Sequence, residues 1–342
     1  MITNIRTVAE LEERLSRPTA ADVSAMAELD GDLLILGAGG KMGPSLAALA
    51  RRAADQAKIK KRIIAVSRFA DDNLRGLLSS QNIETIACDL LDPGTLAKLP
   101  DIKNVVFMAA RKFGTMVSAH LTWAMNTYLP GLVAERYRDS RIVTFSTGNV
   151  YLLQPVRQGG AVESTPVDPQ GEYAQSALGR ERMFEYGSHR WGTPVAMLRL
   201  NYAVELRYGV LADIGQAVFE HRPIDLRMGF VNVIWQGDAN SVCLRAFAHC
   251  QSPPLILNVT GPETLSVRDI AEEFGRHFSI KPIFELEESP TALLSNAAKS
   301  HAIFGCPETK PSEVVKWIAD WMRSDGAMLN KPTHFATRDG RF

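Results

Sequence analysis

An excess of either charge is missing from this chain. Lys and Arg total 38, Asp and Glu also total 38, and the formal net charge is zero. Holding nucleic acid or an anionic membrane takes a surplus of cations, so neither partner is expected. Long apolar runs are missing too. No stretch approaches the ~20 apolar residues of a membrane-spanning helix. The opening "MITNIRTVAELEERLSRP" mixes charges with apolar residues, where a secretory leader would run unbroken. Cysteines are few, and Cys88, Cys243, Cys250 and Cys306 show no C-x-x-C spacing. Reduced, mostly buried thiols in a cytoplasmic protein are the expectation. The seven histidines, among them His120, His189 and His221, lack metal-ligand spacing. No metal site is expected, and no internal repeat or low-complexity tract stands out.

What is present is alternation. "DLLILGAGG" is a short apolar run ending in glycines, "PSLAALARRAADQAK" has helical spacing, and "RIIAVS" is apolar again. That is strand, glycine turn, helix, strand. "IETIAC", "NVVFMAA" and "RIVTFST" continue the series. Short continuous runs rich in β-branched residues suit strands buried on both faces of a parallel sheet. The fold class expected is α/β, an open doubly wound parallel sheet over residues 31–200. Residues 1–30 read as a helical extension packed outside the sheet. Residues 201–325 read mainly as a smaller substrate-binding domain, with some segments returning to the sheet, and 326–342 as a tail. In the smaller domain "FVNVIW" and "PLILNVTG" read as strands. Ser266, with Asp269 three residues on, and Ser312 read as the caps of two amphipathic helices.

The turn "GAGGKMG" places Gly37, Gly40 and Gly43 in a G-x-x-G-x-x-G pattern directly after a strand and before a helix. Such a turn brings backbone close to a pyrophosphate and aims a helix N-terminus at negative charge. A dinucleotide is the expected ligand. The second strand ends "AVSRF". Ser67 and Arg68 stand where a ribose-binding carboxylate would be expected. Serine and arginine can hydrogen-bond a 2′-phosphate that a carboxylate would repel, and Lys41 adds a cation in the turn. NADP is therefore favoured over NAD. The basic run "KIKKR", Lys58 to Arg62, reads as a solvated helix end.

In order along the chain, these motifs resemble the extended short-chain dehydrogenase/reductase superfamily, in its NAD(P)-dependent epimerase/dehydratase branch. "LGAGGKMG" resembles that family's glycine turn, with Met42 at an apolar position. "ACDLLD" resembles its acidic turn, which implies cofactor contacts at Asp89 and Leu90. "VVFMAA" resembles its fourth strand, ending in Ala109 and Ala110 beside the cofactor. "IVTFSTGNVY" and "VESTPVDPQGEYAQS" resemble the approach to its active-site tyrosine. The likeness spans about residues 31–325 and implies a Rossmann-type fold. It also implies Thr147 as the hydroxyl that orients the substrate oxygen and Tyr173 as the general acid/base.

Two departures stand out. The family's lysine, four residues after the tyrosine, falls at Ala177, and no lysine occurs between Phe113 and Ile280. A free phenol has a pKa near 10, so phenolate at neutral pH costs ~4 kcal/mol without a neighbouring cation. Lys112, with Arg111 beside it, and behind them Arg180, are the candidates to supply that charge. The plainer reading is a loop charge for Lys112 and a surface pair with a nearby glutamate for Arg180. The second departure is Gly148-Asn149, which stands where sugar dehydratases of the family carry Asp-Glu. Neither residue exchanges a proton at neutral pH, so a 4,6-dehydratase is not expected.

The function expected is an NAD(P)-dependent oxidoreductase or epimerase acting at a hydroxyl or ketone carbon of a sugar-like small molecule. The alternative is a catalytically degenerate NADP-binding sensor or partner protein. Arg207, Arg222 and Arg227 are candidates to grip a phosphate or carboxylate on the substrate. The resemblance also suggests a homodimer through the helical segments 115–137 and 173–191.

Overall fold

The apolar runs become strands because each can bury both faces. In β1, Leu33–Leu36, Leu33 and Ile35 enter the core on one side of the sheet, while Leu34 and Leu36 enter the core on the other. The same holds for β2 (Ile63–Ser67), β4 (Asn104–Phe107) and β5 (Arg141–Thr147), with β3 (Glu84–Ala87) at the edge. β6 (Val195–Leu200) and β7 (Leu255–Val259) complete the series. A computed structural model describes residues 5–70, 72–115, 117–331 and 333–341. Its central sheet is seven-stranded and parallel, in the order β3-β2-β1-β4-β5-β6-β7. The chain winds outward from β1 and then restarts at β4, which opens a crevice above the C-terminal ends of those two strands. The "PLILNVTG" segment is the strand that returns to this sheet, as β7. Among the described residues, no helix is long and apolar enough to cross a membrane.

Beyond β6 the helices Val210–Phe219, Val267–Phe278 and Pro311–Arg323 build a second core, in which Trp235 and Trp317 meet edge-to-face at 5.5 Å. "FVNVIW" divides into two short strands, Phe230–Val231 and Ile234–Trp235, with different partners. The break falls at buried Asn232. Its amide accepts from Asn201 Nδ2 and donates to Ser295 O, each at 2.8 Å. Ser266 caps its helix as expected, accepting from Asp269 N. Ser312 does not. Pro311 opens that helix, Lys310 is the cap residue, and Glu313 accepts from its N–H. Proline suits the first helical position because it has no N–H to leave unpaired.

The N-terminal residues form two helices, Val8–Leu15 and Ala20–Glu28, each opened by a reciprocal capping box (Thr7 with Glu10, Thr19 with Asp22). Leu11 and Leu15 belong to the second core, whereas Met26 and Leu29 belong to the sheet's core. The basic run holds a surprise. Lys61 is buried, and its ammonium donates to Leu29 O and Gly31 O. It ties the extension to the start of β1, so this part of the run is not a solvated helix end.

One buried polar network spans the sheet under its C-terminal edge. Arg199 on β6 grips Glu181 through two parallel hydrogen bonds of 2.9 and 2.7 Å, with both side chains 2–3% exposed. Ser146 on β5 donates to Glu181 Oε1 at 2.6 Å. Arg199 Nη1 donates to the Tyr151 hydroxyl, which donates to Asn258 on β7. Removing one partner of such a pair leaves an uncompensated buried charge, at a cost of ~3–5 kcal/mol. Arg199→Met is therefore expected to lose that much stability in urea unfolding at pH 7. A loss below about 1 kcal/mol would show that the pair is not what fastens Glu181 to the sheet.

Candidate active site

The glycine turn after β1 is shaped by contacts that only glycine permits. Gly37 has φ +91°, and a Cβ there would lie 2.5 Å from Ala109 N, on the chain leaving β4. A Cβ on Gly43 would lie 2.2 Å from Ala38 O. Gly40 is different. Its nearest neighbour would be Gly37 O at 3.3 Å, so it keeps an open approach. The helix Gly43–Gln56 begins at Met42 without any side-chain cap; Gly43 N donates to Gly40 O at 3.1 Å and Pro44 has no N–H, so it is the positive end of the helix dipole that favours an anion here. Bare backbone and an uncapped helix start fit a pyrophosphate.

At the outer end of this turn stand the residues read as the adenosine site. A Cβ on Gly39 would meet Ser67 Oγ at 2.3 Å, which places that hydroxyl against the turn. Arg68 is exposed and has no hydrogen bond or ion pair with other described residues. Asp89 is exposed and accepts from Leu91 N at 3.1 Å. Leu90 points the other way, into the core beneath the sheet.

At the inner end, a cleft of about 320 Å³ brings Gly40, Lys41 and Met42 together with Ala110, Thr147 and Tyr173. Lys112 lines it too. Thr147 ends β5 and accepts from Asn149 N at 3.2 Å and Asn149 Nδ2 at 3.0 Å. Its own hydroxyl hydrogen is thereby left for another acceptor. Tyr173 lies in the first turn of the helix Gly171–Trp191. Lys112 Nζ stands 5.9 Å from the Tyr173 ring centre and donates to Thr333 O at 3.2 Å. Burial pulls this ammonium down to about 8, and Asp213 opposes the shift.

Lys41 reaches the chain beyond β6. Its ammonium donates to Ala203 O at 3.1 Å and lies 4.0 Å from the centre of the Tyr208 ring. Burial pulls it too down to about 8, against the pull of Glu205 and Asp213. The cation that the sequence placed beside a 2′-phosphate thus sits at the inner end of the cleft.

Ala177, at the missing lysine's position, is fully enclosed. Arg180 is buried rather than paired with a surface glutamate. It donates to Phe145 O at 2.6 Å and to Asn126 Oδ1 at 3.1 Å. Burial lowers its pKa, and Tyr173 and Glu181 oppose that. Asn126 sits in a π-helical turn, Ala124–Tyr128. It also exchanges hydrogen bonds with the Arg111 backbone and donates to Ser176 Oγ, whose hydroxyl donates to Tyr173 O. π-Turns are frequent at functional sites. Nothing in the local sequence announces it, and Asn126 was missed for that reason.

The three arginines proposed to grip a substrate already have carboxylate partners. Arg207 pairs with Glu12 and Glu205, Arg222 with Glu220, and Arg227 with Asp225. Asp213 and Thr333, both close to the lysines, had no sequence signal of their own.

Solved structures of the same fold are similar over most of the chain. UDP-glucose 4-epimerase of Thermus thermophilus, in complex with NAD, superposes with a TM-score of 0.69 at 17% identity, covering 85% of this chain and 99% of its own. UDP-glucuronic acid 4-epimerase of Bacillus cereus gives 0.71 at 15% identity, with 85% and 99% covered. dTDP-glucose 4,6-dehydratase of Bacillus anthracis gives 0.71 at 15%, with 86% and 97% covered. At such identities these likenesses establish the fold alone. No curated protein matches the sequence. Residues 33–204, half of the chain, match a family from the glycine turn through Thr147 and Tyr173, and by that match the chain belongs to the NAD dependent epimerase/dehydratase family.

Proposed function

We propose that the chain binds NADP, or NAD, and catalyses oxidation or reduction at a hydroxyl or ketone carbon of a sugar-like substrate. The observation that carries this reading is the single cleft shared by the glycine turn, Thr147, Tyr173 and Lys112. Gly37, Gly40, Met42 and Gly43 would hold the pyrophosphate, Ser67, Arg68 and Asp89 the adenosine end, and Ala109 and Ala110 the floor of the inner end. When bound, a nicotinamide supplies or accepts a hydride. Thr147 orients the reacting oxygen with the hydrogen that Asn149 leaves available. Tyr173 would exchange the proton with that oxygen through its phenol hydroxyl. The neighbours named above bind NAD or act on nucleotide-linked sugars, which supports a dinucleotide here and a sugar-like substrate. Exposed Leu121, Trp123, Tyr128 and Tyr186 on the two helices beside the cleft support a homodimer.

Titrating the protein with NADPH and NADH, then following absorbance and products with a panel of ketoses, aldoses and sugar nucleotides, tests this reading. Binding of at least one dinucleotide is expected. Tyr173→Phe is expected to lower turnover by ~10²–10⁴-fold while leaving dinucleotide affinity in place. Failure of both dinucleotides to bind would end the reading. Binding without turnover on any substrate would favour the second reading, a dinucleotide-binding protein without catalysis. Enclosed Ala177, with no ammonium beside the phenol from that position, is the observation that favours it.

The charge near Tyr173 carries its own prediction. With a folded pKa of about 8, Lys112 is a cation at neutral pH and loses its charge above pH 8. Below pH 8 both folded and unfolded chains hold the proton, so the cost of burying it is fully present. Between pH 8 and the ordinary lysine value the unfolded chain holds more protons, and stability rises with pH. Lys112→Met is therefore expected to be more stable than the native chain at pH 7. That advantage should shrink between pH 8 and 10 in urea unfolding. A difference that stays flat across that range would show that Lys112 keeps its ordinary pKa.

A further inference from the structure

The C-terminal segment is not a free tail. It lies across the groove between the sheet and the second unit. Leu329 N donates to Arg207 O at 3.1 Å. Thr333 is held from both sides: its N and Oγ1 donate to Asp213 Oδ2 at 2.8 and 2.6 Å, and its O accepts from Lys112. Arg338 donates to Arg227 O and Thr291 O, both at 2.8 Å, and to Thr291 Oγ1 at 2.6 Å. Gly340 then lies against the start of the helix that carries Tyr173. A Cβ on Gly340 would come 2.1 Å from Gln170 O, and one on Gly171 would come 2.3 Å from Gly340 O.

Seated in this way, the segment divides the groove into chambers. One, of about 420 Å³, lies on the side of Asp213 and Arg222. Another, of about 370 Å³, lies on the side of Asn149, Tyr151 and Gln170. Phe335 is a wall of both. Thr333 lines the Tyr173 cleft, which shares Lys112 with the second chamber. The solved relatives that act on UDP- or dTDP-sugars are matched over 97–99% of their own length by only 85–86% of this chain. This chain therefore carries residues beyond the fold it shares with them.

We infer that the C-terminal segment sets the substrate's size: the chamber that adjoins the Tyr173 cleft at Lys112 and Asn149 admits a free, single-sugar-sized polyhydroxy carbonyl compound and excludes a nucleotide-linked sugar. A chamber of about 370 Å³ is near the lower end of the range for small-ligand sites, ~300–1,000 Å³. A sugar joined to a nucleoside diphosphate needs the room that Thr333, Phe335 and Arg338 take up. The chamber's polar lining of Asn149, Gln170 and Thr337 suits hydroxyl groups. This inference rests on the reading of the cleft as a dinucleotide site.

Calorimetric titration of the full chain, preloaded with NADP, with UDP-glucose tests it. No binding is expected up to about 1 mM, a weakness equivalent to less than ~4 kcal/mol. The double variant Arg338→Ala/Gly340→Val, which unseats the end of the segment, is expected to bind UDP-glucose at least tenfold more tightly, with NADP affinity unchanged. Micromolar binding of UDP-glucose to the native chain overturns the inference whether or not the variant folds. So does a folded, NADP-binding variant with no gain. If the native chain binds neither dinucleotide, it is the proposed function that fails instead.

Discussion

The cleft is held from beneath by the Glu181–Arg199 pair. Glu181 lies eight residues after Tyr173 on the same helix, ~12 Å along its axis. Its carboxylate is fixed by two bonds from β6 and one from Ser146, the residue before Thr147. The helix therefore cannot rotate or slide without breaking a bidentate pair away from water. Burial of two charges is costly and gives little net stability even when they are well paired. What this pair supplies is position: the helix that carries Tyr173 is fixed against the strand that ends in Thr147. Tyr151 and Asn258 extend the same network to β7. The site's geometry and the sheet's far edge thus share one set of hydrogen bonds.

Above that foundation, the cleft's charge is arranged differently from a lysine placed one turn after the tyrosine. Position 177 is sealed by a methyl group. Arg180 lies deeper, its guanidinium engaged by Phe145 O and Asn126. It is a fixed charge whose field reaches Tyr173 without a direct contact being needed. Lys112 and Lys41 face the cleft itself, and burial brings both to about 8. Two ammonium groups in one cleft, with Asp213 near both, form a cluster whose charge changes just above neutral pH. A fixed ammonium would hold its charge through the whole physiological range.

The strands and the glycine turn were legible in the sequence because their causes are local. Alternating burial needs only the run itself, and Gly37 and Gly43 answer to atoms a few residues or one strand away. Thr147 and Tyr173 were named through the resemblance to the family's motifs, and each sits at an end of a regular element. The rest depended on partners that no local pattern shows. Lys61 looked solvated because its acceptors, Leu29 O and Gly31 O, lie some thirty residues earlier. Lys41 looked like a phosphate ligand because its neighbours in the sequence are the turn, whereas its neighbours in space are Ala203 and Tyr208. Asn126 depends on a π-turn, and Ser312 yielded the cap position because Pro311 had already fixed the start of that helix.

The two ends of the chain fasten the molecule in unlike ways, and the difference bears on how a substrate reaches Tyr173. The N-terminal helices join the sheet to the second unit through apolar cores, with Leu11 and Leu15 in one and Met26 and Leu29 in the other. Opening that junction exposes buried apolar surface at each residue. The C-terminal segment is fastened mostly by hydrogen bonds, through buried Thr333 and half-buried Arg338, with Phe335 as a partly buried apolar contact. Water can replace those hydrogen bonds at a small net cost, ~0.5–1.5 kcal/mol each. Local opening follows the weakest set of contacts. Of the two fastenings the C-terminal one has the smaller apolar share, and it is the one that stands over Lys112 at the Tyr173 cleft.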